Sequence, residues 1–198
     1  VTESLKQFVG IGYNRAYQLL PGIELTFLDA GHILGSAIII LDIADEESKQ
    51  NIRLVFSGDL GRPNRPILND PTPIDKADIL IIESTYGNRD HADLEEASNK
   101  LENIINETYK RGGKLIVPAF AVGRTQELVY RIHHMVEARD IPPDLPIYVD
   151  SPLAVDATSI YRLHPEAYDE EVAQFLLEDP MGDPFGFSMM QYTRSTAQ

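Results

Sequence analysis

The period of the apolar residues changes once along this chain, and that change constrains the fold more than any other feature of the sequence. Up to about Thr85, short β-branched runs are cut by glycine- and proline-rich turns. Residues 24–29 (ELTFLD), 37–43 (AIIILDI), 52–57 (IRLVFS) and 77–83 (ADILIIE) read as strands, the last of them buried, with the charged stretch 44–51 as a hairpin loop. Beyond Asp93 the period becomes helical. Leu94, Ala97, Leu101, Ile104 and Ile105 predict a helix, with Asp90 as its N-cap and Gly112 and Gly113 as its stop. A strand is expected over 114–118 (KLIVP), a helix over 125–138 with Leu128, Val129, Ile132, Met135 and Val136 inward, and a strand over 146–149. A further helix begins in DSPLAVDATSIYRL, breaks at His164 and Pro165, and resumes over 166–177. Hairpins followed by alternating strand and helix predict an α/β chain whose second part is built of βαβ units on a parallel sheet. The boundary is expected between Tyr86 and Asp93, giving domains 1–88 and 89–198.

Composition narrows the chemistry. With 198 residues, 43% of them hydrophobic, the chain can bury a core unaided. It contains no cysteine, so neither disulfides nor thiolate metal sites are open to it. A metal would be held by His, Asp or Glu, which suits zinc, manganese or iron. The net charge of -14 counts against a free-standing nucleic-acid-binding module, because phosphate recognition needs clustered Lys and Arg. No apolar run reaches the ~18 residues of a membrane span and no signal segment opens the chain, so a soluble, cytoplasmic protein is expected. The first residue is Val and both ends read as mid-protein sequence, which points to a piece of a longer protein.

Three groups stand where strands run out into loops: His32, Asp59 and Glu83. Such positions combine a fixed backbone with an accessible side chain. His32 lies between Gly31 and Gly35, and Asp59 lies in SGDLGR, again between glycines. An imidazole and a carboxylate converging from separate loops is a pairing that hydrolytic metal sites use. An aspartate between glycines also forms turns, and a histidine in a glycine loop also serves as a hydrogen-bonded structural residue. Spacing alone leaves both alternatives open. Arg124, at the start of a helix in AFAVGRTQE, could meet a substrate phosphate or form a surface salt bridge, and the segment matches neither GxGxxG nor GxxxxGKS. The run Asp169, Glu170, Glu171 reads as a solvated helix face.

GHILGSA, SGDLGR and IIESTYG, in this order and separated by a strand pair, resemble three consecutive motifs of the beta-CASP branch of the metallo-β-lactamase superfamily. GGKLIVPAFAVGRTQELVYRI resembles the first helix-and-strand part of that branch's inserted cap domain, and PIYVDSPLA continues it. The resemblance covers most of the chain from about Glu24 to Arg162. It implies a partial metallo-β-lactamase αββα sandwich followed by part of a beta-CASP α/β cap domain, with the parent's active site in a cleft between them. It also implies a two-zinc phosphodiesterase acting on RNA, with His32 a ligand of the first metal and Asp59 a carboxylate bridging both. Glu83 corresponds to the family's acidic residue that orients a catalytic histidine rather than binding metal. RNA is the implied partner of the parent enzyme, and a homodimer is left open.

Two parts of the family pattern are missing. HxHxDH occurs nowhere in the sequence, and none of His91, His133, His134 and His164 has the context of the family's later histidines. These four are expected to be structural or surface residues. The chain by itself is therefore expected to bind zinc weakly or not at all and to be inactive alone. Another hydrolase of the same fold, or a non-catalytic scaffold subunit of an RNA-processing complex, are the alternative readings.

Overall fold

The computed structural model describes residues 2–45, 49–90, 93–178 and 182–193. The chain is a mixed α/β protein in which a β-sheet comes first and helices follow. It divides into two compact units, one of residues 1–65 and 70–85, the other of residues 66–69 and 86–198.

The first unit is a five-stranded sheet in the order β1-β2-β3-β4-β5. After the short helix α1 (Thr2–Leu5), the strands are β1 (Tyr17–Leu20), β2 (Ile23–Asp29), β3 (Ala37–Asp45), β4 (Gln50–Phe56) and β5 (Ile79–Ile81). The first four pair antiparallel and β5 joins β4 in parallel. Residues directly opposite in an antiparallel pair share a face. Leu28 opposes Ile38, and Ile40 opposes Val55, so one face gathers the core of Ala30, Ile38, Ile40 and Val55, against which Leu60, Ile74 and Ala77 pack. Further along the same rows the face turns polar. Asp42 opposes Arg53 and takes a bidentate ion pair from it, Nε to Oδ1 and Nη2 to Oδ2, both at 2.8 Å. The Arg53 backbone also bonds Asp78 twice, its N–H donating to the side-chain Oδ2 at 2.7 Å and its carbonyl accepting the Asp78 N–H at 2.9 Å. That pair of bonds sets the parallel register of β5, Leu54 beside Ile79.

The strands expected at 24–29, 37–43 and 52–57 are therefore present, with β3 and β4 reaching further into the stretch expected as loop. Asp45 opposes Gln50, because paired backbone groups outweigh the polarity of their side chains. β5 corrects an expectation. The sequence predicts burial, but Ile79 to Ile82 are 50–59% exposed, because among the described residues neither face of β5 is covered. β1 has an exposed, non-alternating face and left no periodic signal.

In the second unit, α2 (Leu94–Lys110) begins three residues later than expected. Its N-cap is Asp93, not Asp90: the Asp93 carboxylate accepts the N–H groups of Glu95 at 2.9 Å and Glu96 at 3.0 Å. Gly112 stops it at φ +66°, as expected. The expected strand at 114–118 is absent. These residues pair with no strand among the described residues, and Leu115, Ile116 and Val117 are 42–87% exposed. A β-branched run predicts a strand only when a partner backbone is there to complete it.

Then come α3 (Arg124–Ala138), β6 (Ile147–Asp150), α4 (Pro152–Arg162), a 3₁₀ turn at Pro165–Ala167, α5 (Glu170–Glu178) and β7 (Met190–Thr193). β6 and β7 pair in parallel, so α4 and α5 form the crossover of one βαβ-type unit. The core of the second unit includes Tyr130, Tyr161, Val172 and Phe185, and the buried Gln126 and Thr158 bond to each other within it. Gln126 donates to the Thr158 hydroxyl at 2.8 Å, and Thr158 donates to the Ala154 carbonyl at 2.8 Å. The acidic run opening α5 is not simply a solvated face. Asp169 is half-buried and caps the helix, accepting the Val172 N–H at 2.8 Å. Among the described residues, no helix is long and apolar enough to cross a membrane.

α3 and α5 meet through rings. His134 stands edge-on to Tyr130 at 4.4 Å between centroids, and 5.1 Å from Phe175. Burial lowers its pKa, against the opposing pull of Glu171 and Glu137. In the unfolded chain this histidine takes its proton near the ordinary value of about 6.5, so the unfolded state binds more protons just below that pH. The stability this group contributes is complete above that value and is lost as the pH falls toward the folded value. We expect the urea midpoint of wild type, relative to His134→Phe, to decline as the pH drops from 7 to 5. Equal pH profiles for the two proteins would contradict it.

Candidate functional site

The site is assembled at one end of the sheet in the first unit. β2 ends at Asp29 and β3 starts at Ala37, directly opposite, so the His32 loop bridges two paired strands. β4 ends at Phe56 beside Ile39, which brings the SGDLGR loop to the same edge. Backbone contacts join the two loops. The Gly61 N–H donates to the Ala30 carbonyl at 2.7 Å, and Ala30 is fully buried. A Cβ on Gly61 would sit 1.8 Å from the Gly31 carbonyl oxygen and 2.9 Å from the His32 nitrogen. Gly58, at φ +58°, comes similarly close to the Ala37 carbonyl: its Cβ would lie 2.9 Å from the oxygen. The glycines of the two motifs are thus the residues that let the loops touch.

Glu83 joins the third motif to the second. Its Oε1 accepts the Leu60 N–H at 2.6 Å, and its own N–H donates to the Ser57 hydroxyl at 3.1 Å. The Ser57 N–H donates to the Ile81 carbonyl at 2.9 Å, and its hydroxyl to the Gly58 carbonyl at 2.7 Å. The Leu60 N–H holds the Glu83 carboxyl below the usual carboxylate range, helped by Thr85 and, more weakly, by the charge of His32. Ionised Glu83 and His32 therefore lie within electrostatic reach of each other. His32 is half-buried and Asp59 is exposed. Sequence reasoning missed Ser57 and Ser36, whose hydroxyls organise these loops. Their signal was the Ser-Gly and Gly-Ser dipeptides bounding the motifs.

His32 and Asp59 are the right donors in kind for a zinc-type ion, an imidazole nitrogen and a carboxylate oxygen. They fall short in number, since such sites take three or four protein ligands. Among the described residues, no group of three or more His, Asp or Glu is placed to hold a metal.

The remaining candidates lie elsewhere. Arg124 is the first residue of α3, in the second unit, exposed and 3.6 Å from the Glu127 carboxylate. His133 is buried, with Nδ1 3.3 Å from the Pro184 carbonyl and its ring against Phe175 and Phe187. His164 is exposed and hydrogen-bonded to Glu166 at 2.7 Å. His91 lies outside the described residues. A cleft of about 600 Å³ opens at the opposite end of the sheet, lined by Gln18, Glu24, Asp42, Arg53, Lys76 and Asp78. Its central charges, Asp42 and Arg53, neutralise each other.

The chain is similar to known proteins over most of its length. Residues 125–198 match the Beta-Casp domain. A ribonuclease of Thermus thermophilus is 35% identical over 181 residues, which is 89% of this chain and 39% of the relative. A transcription termination factor of Methanosarcina mazei is 33% identical over 182 residues, 90% of this chain and 28% of the relative. Subunit 3 of the cleavage and polyadenylation specificity factor of Dictyostelium discoideum is 34% identical over 161 residues, 80% of this chain and 20% of the relative. The chain thus spans between 20% and 39% of the length of these relatives.

The loop contact gives a sharp expectation. Gly61→Ala places a methyl group inside the Gly31 carbonyl and should cost several kcal/mol, on the order of 3 or more, by forcing the loops apart. Gly35→Ala meets open space and bears only the strain of its φ of +85°, roughly 1 kcal/mol. Urea unfolding of both variants checks the order. Equal stabilities would refute the contact.

Proposed function

This chain is a partial homologue of the Beta-Casp family, with residues 125–198 inside the family's domain, and from that premise we propose that it is part of a metal-dependent ribonuclease. One observation carries the reading: GHILGS, SGDLGR and ESTYG, far apart in sequence, meet at one sheet edge through the Gly61–Ala30 and Leu60–Glu83 hydrogen bonds. Strand-end loops locked to each other by backbone bonds are how a rigid scaffold presents ligands. The name of the Thermus thermophilus relative, a ribonuclease, supports the substrate class.

In this reading His32 and Asp59 donate to a site of two zinc ions that other residues of the parent complete. Bound there, such ions stabilise charge on a phosphodiester and supply hydroxide at neutral pH. Asp59, exposed at its loop tip, offers two oxygens outward. His32, half-buried, offers one nitrogen from a fixed loop. Glu83 keeps the Asp59 loop in place through Leu60 and presents a negative charge toward a histidine acting as general acid. Arg124 is proposed, from the second unit, as a contact for an RNA phosphate. The 198-residue chain alone is proposed to be inactive and to hold zinc poorly.

The test is cleavage of labelled single-stranded RNA by the full-length parent. His32→Ala and Asp59→Asn should each reduce the rate by at least about 100-fold, since losing even an outer-shell partner costs 10–100-fold. A His32→Ala protein that cuts as fast as wild type would overturn the assignment. Zinc content of the isolated chain after dialysis should be well below one per chain. A tightly held stoichiometric ion would show that the site is complete without other residues, against the proposal.

A further inference from the structure

The loop that carries His32 is held by two hydroxyls outside the three candidate residues. Ser36 bonds to this loop through its hydroxyl oxygen, its N–H and its carbonyl. Its Oγ accepts the N–H of His32 at 3.1 Å and of Ile33 at 3.3 Å. Its own N–H donates to the Ile33 carbonyl at 2.9 Å, and its carbonyl accepts the Ala30 N–H at 3.2 Å. That same carbonyl accepts the Tyr13 hydroxyl at 2.7 Å, from a residue 23 positions away. Tyr13 is tied to the sheet in turn, because the neighbouring Asn14 N–H donates to the Phe27 carbonyl at 2.8 Å. A second bond closes the loop's entry, where the Gly31 N–H donates to Asp29 Oδ1 at 2.8 Å.

The loop needs such bonds. It runs through positive φ at Gly31 (61°) and at Gly35 (85°), so its backbone is free to take other shapes. Without the Ser36 oxygen, the His32 N–H in this partly buried loop would lose its partner. The loop would then rotate to find another. A metal ligand tolerates little of this, since a displacement near 1 Å at a reacting centre costs on the order of 100-fold.

We propose that Ser36 and Tyr13 are positioning residues for His32: the Ser36 hydroxyl fixes the backbone of the ligand residue, and the Tyr13 hydroxyl fixes Ser36 against the sheet. The proposal rests on the reading of His32 as a metal ligand. Burial and the nearby Asp29 carboxylate push the Tyr13 phenol up to about 12, so it stays a donor at any working pH.

The experiment uses the full-length parent carrying Ser36→Ala, Ser36→Thr, Tyr13→Phe or His32→Ala, each first checked for a cooperative melt. Zinc affinity is measured by competition with a chromophoric chelator, and kcat and KM on labelled single-stranded RNA. Ser36→Ala should weaken zinc binding and lower kcat by 10–100-fold with KM little changed, the range seen when the partner of a ligand is removed. Ser36→Thr, which keeps the hydroxyl, should restore both. Tyr13→Phe, which removes one oxygen without altering the loop's sequence, should give the same pattern more weakly and remains informative if Ser36→Ala does not fold. If His32→Ala loses zinc and activity while Ser36→Ala and Tyr13→Phe lose only melting temperature, the hydroxyls are merely structural and the positioning proposal falls alone. If His32→Ala changes neither, the ligand reading falls and takes this proposal with it.

Discussion

The hydrogen bond from the Gly61 N–H to the Ala30 carbonyl, made where no side chain fits, is the contact on which the candidate site depends. Each strand of the sheet is positioned by its ladder, but a ladder ends with its last pair. Beyond Asp29 and Phe56 the chain is free unless something else holds it. Bonding one loop backbone to the other extends the sheet's precision past its edge, and it satisfies a carbonyl on a fully buried residue that would otherwise be costly. The condition is steric. Two backbones approach this closely only if one of them carries no Cβ.

Glu83 extends the same logic to the third motif. Its Oε1 holds the Leu60 amide, one residue past Asp59, while its N–H and the Ser57 hydroxyl hold the exit of β4. A carboxylate aimed at backbone N–H groups makes a charge-assisted bond stronger than a neutral one. The lowered Glu83 pKa is the electrostatic trace of that bond. Charge here first serves loop geometry, and whatever Glu83 does to a further partner starts from a carboxylate that is already fixed.

Much of this was legible in the sequence because the signals were local. The apolar, β-branched run over 37–43, the glycines flanking His32 and Asp59, and a change of period after Tyr86 are properties of short windows, and they gave β3, both loops and α3 nearly in place. What was not legible depends on distant residues. KLIVP has the composition of a strand but pairs with none among the described residues, while 190–193 pairs with β6 from 43 positions away. The apolar run at Ile79 to Ile82 reads as buried, yet no described residues cover either of its faces and it is half-exposed. Asp90 and Asp93 are equally good caps on paper, and only the reach of the Asp93 carboxylate to two N–H groups decides between them. Of the histidines, His133 lacks the motif context of a ligand, and it packs between Phe175 and Phe187 as a structural residue.

The contrast between the two units follows from where their polar groups are used. In the second unit several polar side chains bond within the core: Gln126 to Thr158, Thr158 to the Ala154 carbonyl, and the Tyr168 hydroxyl to the Tyr161 carbonyl at 2.6 Å. At the edge of the first sheet, the side chains of Ser36, Ser57 and Glu83 are instead bound to loop backbone, and the two residues they frame, His32 and Asp59, keep their polar ends uncommitted to that network. A fold that only needed to be stable could satisfy these loops with their own residues. Binding the backbone through neighbours while leaving one imidazole and one carboxylate outside that bonding agrees with the role proposed for His32 and Asp59.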